Sequence, residues 1–113
     1  SADDINKFQH LIRRIPIADN VIEYAVNLVS KTRPKTPYSP EIVDNYLDWG
    51  AGPRASQNLI LGAKAHAAVN GKFSPDIEDV KAVAFAILSH RIVKNYKAEA
   101  EGISEKNIIE NLL

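Results

Sequence analysis

A chain of 113 residues, 45% of them hydrophobic, has the size of one ordinary domain and enough apolar side chains for a single packed core. It contains no cysteine, which excludes a disulfide framework, a thiolate metal site and a cysteine nucleophile, and which favours a cytoplasmic location. The 14 Lys+Arg match 14 Asp+Glu, with seven of each sign up to Arg54, so neither half carries the basic surplus of a protein that grips nucleic acid through its phosphates.

From Asp4 onward, Ile5, Phe8, Leu11, Ile12 and Ile15 fall at helical spacing and Pro16 ends the run, which predicts a first helix of about three turns. Asp19 or Asn20 is positioned to cap a second helix. Its Val21, Ile22, Ala25, Val26, Leu28 and Val29 spread over a face wide enough to suggest burial on more than one side. Arg33-Pro34 closes it, and the cations Lys31, Arg33 and Lys35 read as a solvated helix end beside its own carbonyls. Pro37 and Pro40 keep the next stretch in a loop. Ser39-Pro40-Glu41 then reads as cap, first helical residue and first-turn acid of a short helix through about Trp49.

Gly50 to Gly52 breaks that helix, and Pro53 opens another over Arg54 to Asn70, closed by Gly71. Ala55, Gly62, Ala63, Ala65, Ala67 and Ala68 would let neighbours approach closely, so this helix is expected at the centre of the bundle. Ser74-Pro75-Asp76 repeats the cap signal ahead of a regular stripe of Ile77, Val80, Ala84, Ile87 and Leu88. The pattern lapses from His90-Arg91-Ile92 to Gly102. Ser104 caps a last short helix carrying Ile108, Ile109, Leu112 and Leu113. Val93 to Tyr96 could be extended but has no evident partner strand. The fold expected is all-α, a small helical bundle of about five to six helices. No apolar run approaches the roughly 18 residues that span a bilayer, and Ser1-Ala2-Asp3-Asp4 has no signal-peptide plan. The missing initiator methionine suggests a piece of a longer chain, with residues 1–113 forming one domain.

Little in the chain carries chemistry by itself. No Gly-x-x-x-x-Gly-Lys-Ser/Thr loop is present, so the chain cannot cradle a triphosphate unaided. His10, His66 and His90 lack metal-ligand spacing and a paired acid at helical register, and read as ordinary surface or half-buried side chains. Asp76, Glu78 and Asp79 could suggest a carboxylate site, but Asp76 and Glu78 fall in a helix's first turn, where the dipole favours acids. Ser39, Ser74 and Ser104 read as caps rather than nucleophiles. The exception is Gly50-Ala51-Gly52-Pro53-Arg54-Ala55. A cation in a helix's first turn opposes the dipole, so Arg54 needs either a carboxylate partner, with Asp48 a candidate, or simple solvation, or an anionic ligand brought to the helix end.

Four blocks, in order and over nearly the whole length, make the chain resemble the C-terminal domain of MoxR-type AAA+ ATPases. They are Val21-Ile22-Glu23-Tyr24 with Leu28-Val29 and Thr32-Arg33; Trp49 to Ser56; Gly71-Lys72-Phe73 followed by Ser74 to Val80; and Leu88-Ser89-His90-Arg91-Ile92. The resemblance implies a helical lid docked beside ATP, whose Mg2+ and phosphate loop belong to a large domain absent from this chain. It implies that Arg54, after Pro53 and Gly52, is the sensor-two residue reaching the γ-phosphate, and that loss of this phosphate lets the lid rotate. Related chains commonly carry serine where Gly52 stands, a departure that glycine tolerates at a cost of a few tenths of a kcal/mol. The implied partners are the large AAA+ domain, neighbouring subunits of a hexameric ring and von Willebrand factor A domain proteins, in chaperone-like remodelling of protein complexes. The isolated chain is expected to be inactive. A helical DNA-binding module is the rival reading, opposed by the apolar Ala82, Ala84, Phe85, Ala86 and Ile87 where base-reading side chains would stand. A protein-interaction bundle without nucleotide is the other, and it leaves the Gly-Pro-Arg turn unexplained.

Overall fold

The computed structural model describes residues 1–113. Seven helices run in the order α1 (Ala2–Arg13), α2 (Asp19–Lys31), α3 (Glu41–Tyr46), α4 (Arg54–Val69), α5 (Ile77–Leu88), α6 (Tyr96–Glu101) and α7 (Glu105–Leu112), with short strands β1 (Leu47–Trp49) and β2 (Val93–Lys94). The architecture is all-α as expected, with a two-stranded antiparallel ribbon added.

That ribbon corrects the sequence reading at three places. The third helix stops at Tyr46 rather than near Trp49, and Leu47–Trp49 becomes the partner that the extended piece at Val93 lacked. Asn95 locks the junction: its N–H donates to the Tyr46 carbonyl at 2.9 Å, its Nδ2 to the Asn45 carbonyl at 2.7 Å, and its Oδ1 caps α6 by accepting from Ala98. The capped segment is a helix where no periodic pattern was visible, because only Ala98 in it is buried.

The long small-residue helix, α4, does lie centrally, packing most extensively on α5 and also against α1 and α2. Ala55, Leu59, Ala63 and Ala67 are buried along one side of it. At Gly62 a Cβ would come within 2.7 Å of Ile87 Cδ1, so glycine there allows the α4–α5 approach. Leu28 and Val29 of α2, Val43 of α3, Val80, Ala84 and Leu88 of α5, and Ile108, Ile109 and Leu112 of α7 complete the same core. Val26 stays exposed, so α2 is not buried all round. The stripe on α1 fares similarly: Ile12 is buried, whereas Ile5, Phe8 and Leu11 remain exposed.

Capping follows the expected chemistry with shifted positions. Ser104 and Asn107 form a reciprocal box at α7. At α5 the capping residue is Asp76 rather than Ser74, in a box with Asp79. At α2, Ala18 takes the cap position without a side-chain bond, and Asp19 is the first helical residue. Ser39 does not cap α3; its hydroxyl oxygen accepts the Thr36 N–H at 3.1 Å, and its single proton is shared between Asp44 Oδ1 at 2.7 Å and the Thr36 carbonyl at 2.9 Å, steadying the proline loop.

Candidate functional site

The turn from Gly50 to Pro53 is pinned from beneath by the end of α2. Thr32 is fully buried; its Oγ1 donates to the Val29 carbonyl at 2.6 Å and accepts the Ala51 N–H at 2.9 Å. Arg33 takes the other half of the same peptide residue, its Nε donating to the Ala51 carbonyl at 3.1 Å. Ala51 is itself buried, so both of its backbone groups need these partners. Gly50 closes the fit: a Cβ there would stand 2.3 Å from the Thr32 carbonyl oxygen and 2.7 Å from Arg33 Cα, backbone that cannot swing away. The adjacent pair Thr32-Arg33 therefore sets the height and tilt of the turn. Arg33 and Lys31, read from sequence as cations beside their own helix's carbonyls, serve carbonyls of other elements instead, since Lys31 Nζ donates to Leu112 at 3.4 Å.

Beyond the pinned residue the turn is open. Gly52, Pro53 and Arg54 are all exposed, and a Cβ at Gly52 would meet nothing within 4 Å, so serine would fit there without strain. Pro53 already has helical dihedrals (φ −60°, ψ −29°), Ala55 N–H donates to the Gly52 carbonyl at 3.0 Å, and no side chain caps α4. Arg54 is thus the first residue of a 16-residue helix, at its positive end. Pairing with Asp48 does not occur: no carboxylate lies within the 4.0 Å of an ion pair from Arg54. Gly52, Pro53, Arg54 and Ala55 instead line one shallow hollow together with Arg91, which arrives from just beyond α5. A neighbouring hollow, lined among others by Arg33, Asp48, Trp49 and Gly52, continues the surface toward the ribbon. Donors of this kind, exposed guanidiniums at a helix N-terminus, suit a phosphate brought from outside. They do not suffice to enclose a nucleotide.

A second polar cluster joins the far end of α4 to the start of α5. Asp79, whose side chain is 3% exposed, accepts from Lys72 Nζ at 2.6 Å, from the Asp76 N–H at 2.9 Å and from His66 Nδ1 at 2.6 Å. An ionised carboxylate only accepts, so His66 carries a proton on Nδ1. Burial opposes the charge on Asp79, but Lys72, the Asp76 N–H and His66 outweigh it and hold the carboxyl well below the usual range. Asp79 is thus a buried structural acid in the first turn of α5, and His66, which has no acid at helical register in its own helix, finds one on the neighbouring helix. With four polar groups satisfied within one corner, the cluster is a staple between α4 and α5. No cluster of three or more His, Asp or Glu side chains with the spacing to hold a metal ion is formed. The exposed residues of α5 include Glu78, Ala82, Phe85 and Ala86, an acidic and apolar set opposite to what a base-reading helix presents. No helix is long and apolar enough to cross a membrane.

Residues 39–112 match the AAA lid domain family. Over all 113 residues the chain is 30% identical to the chaperone MoxR1 of Mycobacterium tuberculosis, covering 30% of that protein. It is 26% identical over 111 residues to the protein YeaC of Bacillus subtilis, covering 98% of this chain and 32% of the relative. Among solved structures, a Cytophaga hutchinsonii protein assigned as an ATPase superposes with a TM-score of 0.88 at 40% identity, over 97% of this chain and 33% of the other. The chain therefore spans about a third of the length of the proteins it resembles.

Proposed function

Since the chain belongs to the AAA lid domain family, we propose that it serves as the lid of a MoxR-type AAA+ ATPase and that Arg54 is the residue through which it reads the nucleotide. The observation that carries this reading is Arg54 itself. It stands exposed at the unfavourable end of the α4 dipole, without a carboxylate partner, on a turn whose backbone is fixed by Thr32, Arg33 and Gly50. A strained electrostatic position on a rigid support is what a ligand-contacting cation needs, since a pre-placed charge costs no reorganisation when the phosphate arrives. The large domain of the longer protein would supply the phosphate loop, the Mg2+ ligands and the residue that positions water. The lid would add one guanidinium at the terminal phosphate and lose that contact on hydrolysis, which frees it to rotate. Neighbouring subunits of a ring, von Willebrand factor A domain proteins and remodelling of client complexes belong to this same reading, and the name of the M. tuberculosis relative, a chaperone, supports its last part.

The test is Arg54→Ala and Arg54→Lys in the full-length protein, with steady-state ATPase activity measured beside thermal melting. Arg54→Ala is expected to lower hydrolysis roughly 10–10³-fold with melting nearly unchanged. Arg54→Lys is expected to recover part of the loss, because an ammonium keeps charge without the planar two-point geometry. Full activity in Arg54→Ala, or a loss that only follows a fallen melting temperature, would refute the role.

A further inference from the structure

We propose that Arg91 is a second phosphate-contacting residue, closing on the terminal phosphate of the nucleotide from α5 while Arg54 approaches from α4. The proposal rests on the reading of Arg54 above, and it gives a role to the Leu88-Ser89-His90-Arg91-Ile92 block, which the core absorbs only through Leu88 and Ile92.

Three observations converge. Arg91 and Arg54 line one hollow, although 37 positions apart in sequence, and the only other residues lining it are Gly52, Pro53 and Ala55, none of them charged. The chain forms eight ion pairs, and every cation in them is a lysine, a histidine or the N-terminal amine; no arginine takes part. In a chain with as many acids as bases, two guanidiniums share a hollow with the positive end of α4 and no carboxylate within ion-pair distance of either. Two cations that face one hollow without a counter-charge, beside the positive end of a helix, favour an anion in it. Arg91 is also held ready. Its Nη1 donates to the Ile87 carbonyl at 2.6 Å in the last turn of α5, where the dipole favours a cation. One of the five guanidinium N–H donors satisfies that bond, leaving a forked group able to make two-point contact with phosphate oxygens.

Because α4 and α5 are packed together and stapled at their other end by His66, Lys72 and Asp79, the two arginines move as one body with the lid. A terminal phosphate held by both would couple its presence to the position of the whole lid more tightly than one arginine could.

The experiment measures affinity for a slowly hydrolysed ATP analogue and for ADP, with melting temperature, in full-length protein carrying Arg91→Ala, Arg91→Lys or Arg54→Ala. For Arg91→Ala the expected result is a roughly 10–100-fold loss of affinity for the ATP analogue with ADP affinity changed less than about twofold, the size expected for hydrogen bonds to a charged group. Arg91→Lys should melt like the parent, since an ammonium still serves the α5 carbonyl end, and should keep part of the affinity. Unchanged affinities in Arg91→Ala, an equal loss for both nucleotides, or a loss that follows a fallen melting temperature would overturn the proposal. If Arg54→Ala lowers hydrolysis while Arg91→Ala changes nothing, the Arg91 contact is wrong and the Arg54 reading stands. If Arg54→Ala is silent while Arg91→Ala loses ATP selectivity, Arg91 is the phosphate contact and the Arg54 reading falls.

Discussion

Thr32→Val should be the most damaging conservative substitution near the proposed phosphate site, and its magnitude can be worked from two hydrogen bonds. The side chain is fully buried and close in shape to valine, so the change in packing is small and the loss is polar. The Ala51 N–H, in a residue only 1% exposed, loses its acceptor, and stranding a buried donor costs about 1–3 kcal/mol. The bond from Thr32 Oγ1 to the Val29 carbonyl is lost as well, worth about 1 kcal/mol; this carbonyl keeps the Thr32 N–H at 3.0 Å and is not stranded. The total is about 2–4 kcal/mol, or a fall of roughly 8–17 °C in melting temperature for a domain of this size. Thr32→Ser is the control: it keeps the hydroxyl and loses one buried methyl, for about 0.5–1.5 kcal/mol. Urea unfolding of the two variants beside the parent, with equal m values, gives the comparison directly. In the longer protein Thr32→Val should also lower ATP hydrolysis, since the turn it releases carries Arg54. If Thr32→Val proves as stable as Thr32→Ser, the hydroxyl does not hold the turn and the account of the site's rigidity is wrong.

Acid should unfold the parent partly through Asp79. Its folded-state pKa is depressed, so its contribution is fully present above the unfolded value of about 3.9 and is lost as pH falls further toward the folded value. Asp79→Asn should therefore be less stable near neutral pH, by roughly 1–3 kcal/mol, and should show a flatter decline below pH about 4; a parallel decline in both proteins would remove Asp79 from the acid response. Ala63→Leu should cost about 1–3 kcal/mol by overpacking, because Ala63 is fully buried, whereas Val69→Leu on the exposed side of α4 should be within about 0.5 kcal/mol of the parent. An equal, negligible effect at both positions, measured by calorimetry, would show that α4 is not central. Fluorescence anisotropy with duplex DNA at physiological salt should show weak binding without sequence preference, and a sub-micromolar selective complex would restore the DNA-binding reading.

The sequence determined the helices whose apolar residues recur at helical spacing and whose ends carry strong local signals. α4 begins after Pro53 and is closed just past Val69 by Gly71, which has φ 74°, and α7 carries the Ser104 box; both depend on residues within a few positions of each other. The Gly-Pro-Arg turn was legible for the same reason, as a local conflict between a cation and a helix dipole. What lay across the chain was not. α6 buries only Ala98 and shows no stripe, and β1 exists because Val93 and Lys94 pair with it from more than 40 positions along the chain, with Asn95 tying the adjoining end of α3. Local spacing cannot tell that Leu47–Trp49 will leave a helix for a strand when the partner is set by how α3 and α6 pack. The same limit hid the pairing of His66 with Asp79 between α4 and α5, and the support that Thr32 and Arg33 give to Ala51. It also hid Arg91, which was visible only as part of a familiar block. Its place beside Arg54 was decided by the packing of α5 on α4, through contacts such as Ile87 against Gly62, where a missing side chain lets two helices close.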